Sequence, residues 1–122
     1  MNLDKLNKAY NESRNGANFF VRHWCVRNFQ YSDGVSEVCD AGAFWLLDII
    51  ATEVPQHVEY GDMEIIKVVA KGGKADVFLE PYEGNTPKWC KHIDTTDMPD
   101  GEWTFYLANE GERFALILPS EY

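Results

Sequence analysis

Between Tyr31 and Ile66 the sequence has no lysine and no arginine, yet those 36 positions carry eight acidic residues. A stretch of this kind repels phosphate and attracts basic surfaces, which argues against direct nucleic-acid binding through this region. Long apolar runs are missing as well. No segment approaches the ~20 apolar residues that a membrane-spanning helix needs. The opening MNLDKLNKAYNESRNG is polar and contains no apolar secretion core, so a cytoplasmic location is expected. Cysteines are scarce: three of them (Cys25, Cys39, Cys90) form no paired framework, which fits reduced thiols. There is no G-x-x-x-x-G-K-[ST], no G-x-G-x-x-G after a strand and no H-E-x-x-H, so no cofactor is implied. Repeats, linkers and low-complexity tracts are absent too, and 122 residues fit one domain spanning 1–122.

Aromatic residues, by contrast, are plentiful: four Trp, six Tyr and seven Phe can fill a core. The net charge of −9 is unevenly spread. Residues 1–30 balance to +3, 31–66 to −8, 67–91 to +2 and 92–122 to −6.

Leu3, Leu6 and Tyr10 recur at helical spacing until Asn15-Gly16 stops them. NFFVRHWCVRNFQY (18–31) is open to an extended entry or a helix, and the shared face of Phe20, Val21, Trp24 and Cys25 favours a second helix. Ser32-Asp33-Gly34 offers a cap for a helix carrying Val35, Val38 and Cys39. Another helix is expected over 43–52, ended by Pro55. Thereafter the period changes. DMEIIKVVAK (62–71) and KADVFLE (74–80) read as strands joined by a Gly72-Gly73 hairpin. KWCKHI (88–93) is a short strand, and EWTFYLA and RFALILP flank a second hairpin at NEGE. The expected fold class is α+β, with two or three N-terminal helices packed on a mainly antiparallel four- or five-stranded sheet.

Asp48 stands inside the apolar run AGAFWLLDIIATE. A buried, unpaired carboxylate is costly, so Asp48 must reach a donor: Arg22, Arg27, His23, a tryptophan indole or solvent. Asp33, Asp48 and His23 are therefore read as structural polar residues, Asp33 acting in the helix cap. They also define an enzyme alternative, a small hydrolase using Asp33 or Asp48, His23 or His92, and Cys39 or Cys90. Cys90 and His92 would point the same way on a strand, but the cysteine and histidine spacings lack the paired pattern of a zinc site, and no metal is assigned. Arg14, Phe19, Phe20, Arg22, His23, Trp24 and Arg27 form the one basic-aromatic segment suited to nucleic acid, and the core claims half of its aromatics.

YSDGV at 31–35, AGAFWLLDIIA at 41–51, the RHW of 22–24 and the terminal LILPSEY together resemble a family of small bacterial and phage proteins of unknown function. The likeness is firm over 19–54 and looser over 62–122. It implies a setting on phages, plasmids and other mobile elements, and no established activity.

The functional expectation is an acidic, non-enzymatic interaction protein, of the anti-defence type that inhibits a host protein by occupying its basic, nucleic-acid-binding surface. Glu37, Asp40, Glu53, Glu59, Tyr60, Asp62 and Glu64, joined by Asp94, Asp97 and Asp100, would make the partner-binding face. Tyr31, Tyr60 or Trp103 would anchor it. The remaining alternative is self-association, as a homodimer, through an open sheet edge near 112–118.

Overall fold

The computed structural model describes residues 20–40, 43–81 and 86–121. Among these described residues seven strands form one sheet: β1 (Phe20–Arg22), β2 (Phe29–Ser32), β3 (Met63–Lys71), β4 (Lys74–Pro81), β5 (Trp89–Ile93), β6 (Gly101–Asn109) and β7 (Phe114–Ile117). Two α-helices, α1 (Asp33–Asp40) and α2 (Phe44–Glu53), follow β2. Short 3-10 turns occupy Pro55–His57 and Pro119–Glu121. The strand order is β1-β2-β7-β6-β3-β4-β5. Every neighbouring pair is antiparallel except β2–β7, so the sheet is mixed.

This corrects the expected α+β arrangement of two or three N-terminal helices on four or five strands. The five strands read from the second half are all present. The two extra strands come from 18–31, which reads as helix because Phe20 and Trp24 fall one turn apart. In the structure Phe29 and Tyr31 face the core while Gln30 lies between them half-buried, a period of two. Bonds from the His23 amide to the Phe29 carbonyl (2.8 Å) and from the Phe29 amide to the Val26 carbonyl (3.2 Å) close the loop joining β1 and β2. The helix expected over 3–14 lies outside the described residues.

Strict alternation in β3, β4 and β6 gives the sheet one apolar face. Phe29, Ile66, Val68, Val77, Leu79, Phe105, Leu107 and Leu116 form that face, and Val35, Val38, Leu46, Leu47 and Ile50 of the two helices, with Val54 just after α2, complete the core. Gly72 and Gly73, both at positive φ (61° and 77°), make the two-residue turn between β3 and β4. β7 lies between β2 and β6, so the 112–118 region offers no open edge for a second copy. Among the described residues the outer strands are β1 and β5.

The two ends of the sheet carry different loops. β2, β3 and β7 start, and β6 stops, at one end, whose loops are 23–28, 58–62 and 110–113. The other end carries Gly72-Gly73 and the 94–100 connection, tied by a bond from the Thr96 amide to the Gly73 carbonyl. Nine residues of β3 separate the two ends by about 27 Å.

Candidate functional site

Asp48 finds two of the donors that its position demands. His23 Nε2 lies 2.8 Å from Asp48 Oδ1, and the Trp24 indole Nε1–H donates to the same oxygen at 3.0 Å. The imidazole is oriented from its other side. His23 Nδ1 accepts the backbone amides of Cys25 and Val26, each at 3.2 Å. An accepting Nδ1 places the ring proton on Nε2, which therefore donates to the carboxylate. His23 is 3% exposed, and its ring lies 6.0 Å from Phe29, edge-on, and 5.8 Å from Trp24. The buried histidine thus fastens the β1–β2 loop to α2.

Two further groups feel the Asp48 charge. Burial pushes the Cys39 thiol up to about 12, and Asp48 adds to the shift. Tyr31 is raised chiefly by burial, then by Cys39 and Asp48. Both stay protonated at neutral pH. Neither is a ready nucleophile.

Cys25, overlooked in the nucleophile sets read from sequence, is the cysteine that lies beside His23: its exposed Sγ is 3.7 Å from Nδ1. The clue was the spacing of two in His23-x-Cys25. Thiol, imidazole and carboxylate therefore stand in line, as a nucleophile set would. The chemistry does not follow, because Nδ1 already accepts two amides. Placing the thiol proton there would displace both. Asp33 is occupied locally, accepting the Gly34 amide at 3.1 Å. His92 faces solvent on the sheet surface that the two helices leave uncovered, between Asp76 (2.7 Å) and Asp94 (3.1 Å). Among the described residues no group of three His, Cys, Asp or Glu side chains is placed to hold a metal.

The ten residues read as a partner-binding face are separated by the fold. Glu37 and Asp40 lie on α1, where both are exposed. Glu53, at the end of α2, pairs with Lys91 at 2.8 Å. Asp94, Asp97 and Asp100 belong to the opposite end of the sheet, where the Asp100 carboxylate accepts the Gly72 amide at 2.9 Å. Glu64 corrects the expectation outright. It is 3% exposed on the core side of β3 and pairs with Lys88 at 2.8 Å. Odd and even positions of a strand face opposite ways, and Glu64 shares its parity with Ile66 and Val68. Two of the three proposed anchors are corrected likewise, since Tyr31 and Trp103 are buried in the core.

Glu59, Tyr60 and Asp62 remain together. They occupy the turn before β3, held by bonds from the Gly61 amide to the Asn109 carbonyl and from the Asn109 amide to the Asp62 carbonyl. The β6–β7 hairpin brings exposed Glu110 and Glu112 to the same end, with Arg113 paired to Glu110 at 3.2 Å. Tyr60 is 78% exposed and lies against Gly111 so closely that a Cβ there would collide with its ring. Trp24, 81% exposed and the most exposed aromatic among the described residues, stands in the neighbouring 23–28 loop, which is joined to β7 by the Phe114 amide and Asn28 carbonyl.

These features define a sheet protein with two covering helices, a buried histidine–carboxylate–indole linkage, and two exposed aromatics at one acidic end. The chain belongs to a family of unknown function, DUF6876, whose profile matches residues 4–122. Neither curated proteins nor solved structures give a match. Among the described residues no helix is long and apolar enough to cross a membrane.

Proposed function

We propose that this protein is a non-enzymatic interaction module that binds a basic surface of a partner protein through the loop end of its sheet. The observation that carries this reading is Tyr60, exposed and lying against Gly111, with exposed Glu59 and Asp62 beside it in the chain and exposed Glu110 and Glu112 flanking Gly111, Glu110 being paired with Arg113. An aromatic at the centre of a charged rim is how high-affinity contacts are commonly built. The acids steer the encounter and the ring supplies the apolar contact. In a phage or mobile-element setting, the partner is a host defence protein whose nucleic-acid-binding surface is thereby occupied.

The test is capture from host lysate with tagged protein, compared with Tyr60→Ala and with a Glu59→Gln/Asp62→Asn/Glu112→Gln variant. A specific protein retained by the parent and lost from both variants supports the reading. Retention by both variants overturns it.

A further inference from the structure

Trp24 combines two features that rarely occur together. It leaves 81% of its surface in water, and it is nevertheless held in place by a hydrogen bond. An exposed indole forgoes the burial that makes tryptophan useful to a core. Here a buried histidine and a carboxylate fix it all the same. Fixing a side chain before binding removes an ordering cost that the complex would otherwise bear.

The charge beside it is equally specific. Asp48 uses Oδ1 for both donors, and its side chain is still 47% exposed. Phe44, one helical turn before Asp48 on the same side of α2, is 45% exposed. The fixed ring and the second aromatic thus each neighbour the half-exposed carboxylate. Arg22 falls in phase with Phe20 on β1, opposite to Val21, and so projects to the other side of the sheet from the core-facing Tyr31 with which Val21 pairs. Arg27 is three residues along the loop and is a like charge that an incoming cation must overcome.

We propose that Trp24 and Asp48 form a docking position for an arginine side chain of the partner. The guanidinium stacks on the indole and donates to the Asp48 carboxylate. A planar cation suits both contacts, whereas an ammonium suits only one at a time. This deepens the proposed function and rests on it, since it requires a partner that presents cations. It adds a specific position at the border of the acidic end.

The probe is an acetylated, amidated Gly-Arg-Gly-Arg-Gly peptide, with the lysine and citrulline peptides as comparisons. The readout is the assigned Trp24 indole N–H resonance and the dissociation constant. We expect a saturable shift at Trp24 with the arginine peptide, affinity at least fivefold lower for the lysine peptide, and no binding of citrulline. Trp24→Ala and Asp48→Asn should each weaken arginine binding at least fivefold, and Asp76→Asn, on the uncovered sheet surface beside His92, less than twofold. Trp24→Ala removes a surface residue, so its fold, checked by amide spectra, keeps the test sound should Asp48→Asn prove unstable. Unchanged affinity in Trp24→Ala, or equal binding of lysine and arginine peptides, overturns the proposal. If the arginine peptide shifts residues around Tyr60 but not Trp24, this inference falls while the acidic-end reading stands. If it shifts Trp24 while partner capture ignores Tyr60, the arginine position stands as the partner's cation contact and only the Tyr60-centred part of the proposed function falls.

Discussion

At the scale of the residue, exposure decides what each side chain contributes. Trp24 and Trp103 differ in this respect more than in anything else: one is 81% exposed, the other 5%. Trp24→Ala should therefore change stability by no more than about 0.5 kcal/mol. Trp103→Ala should cost about 3–5 kcal/mol, as core aromatic truncations do. Urea titration of both variants checks the contrast, and similar losses would refute the assignment. The cysteines divide in the same way. Cys25 and Cys90 are exposed, and Cys39 is buried with its thiol pushed up to about 12. A thiol reagent at pH 8 should modify two groups rapidly in the folded protein and the third only on unfolding. Three fast reactions would contradict the burial of Cys39.

His92 gives the pH prediction. Its hydrogen bond to Asp76 leads the causes that raise it above the ordinary 6.5, with the charges of Asp76 and Asp94 adding. A histidine raised on folding stabilises the fold fully below its unfolded value and loses that contribution as pH rises through the folded value. The window is therefore from about 6.5 upward. The His92 ring resonance should titrate above 6.5 in the parent and move down in Asp76→Asn; an unchanged midpoint in that variant would deny the Asp76 contribution.

At the scale of the element, legibility tracked length and period. β3, β4 and β6 run eight or nine residues with clean alternation, and each was readable. Gly72-Gly73 and the NEGE turn marked their hairpins. β1 and β2 span only three and four residues, too short to reveal a period of two against the aromatic density around them. The β2–β7 pairing joins Phe29 to Phe114, a contact that no local pattern encodes. Its consequence is a tail lock. Ser32 caps α1 by accepting the Val35 amide at 3.1 Å and donates its hydroxyl proton to Glu121, which also accepts the Leu118 amide at 2.9 Å. Ser32→Ala should cost about 2–3 kcal/mol, combining a lost cap with a buried carboxylate left short of a partner. Glu121→Ala should cost a similar amount, and the double variant clearly less than the sum, because the two residues share one bond. Strict additivity in urea titrations would exclude the lock.

For the whole molecule, the distribution of charge along the chain did not translate directly into a surface. The lysine-free middle supplies α1, α2 and the start of β3, three separate elements rather than one face. Glu64 shows why sequence charge misleads: a strand residue at core parity is turned inward whatever its chemistry, and Lys88 is brought to meet it. Folding instead gathers Glu59, Tyr60 and Asp62 with the β6–β7 hairpin, whose acids lie some fifty residues away in the chain. The need for a donor at Asp48 was legible, and His23 and an indole were among its candidates. That the same linkage would present Trp24 to solvent was not, because it depends on β1 turning back along β2.

The most direct measurement is the association rate of the captured partner with the parent protein between 50 and 500 mM salt, set against the Tyr60→Ala variant. Steering by the acidic end predicts a rate that falls at least tenfold as salt rises, with Tyr60→Ala altering mainly the dissociation rate. An association rate indifferent to salt, with both rates untouched by Tyr60→Ala, would contradict the account.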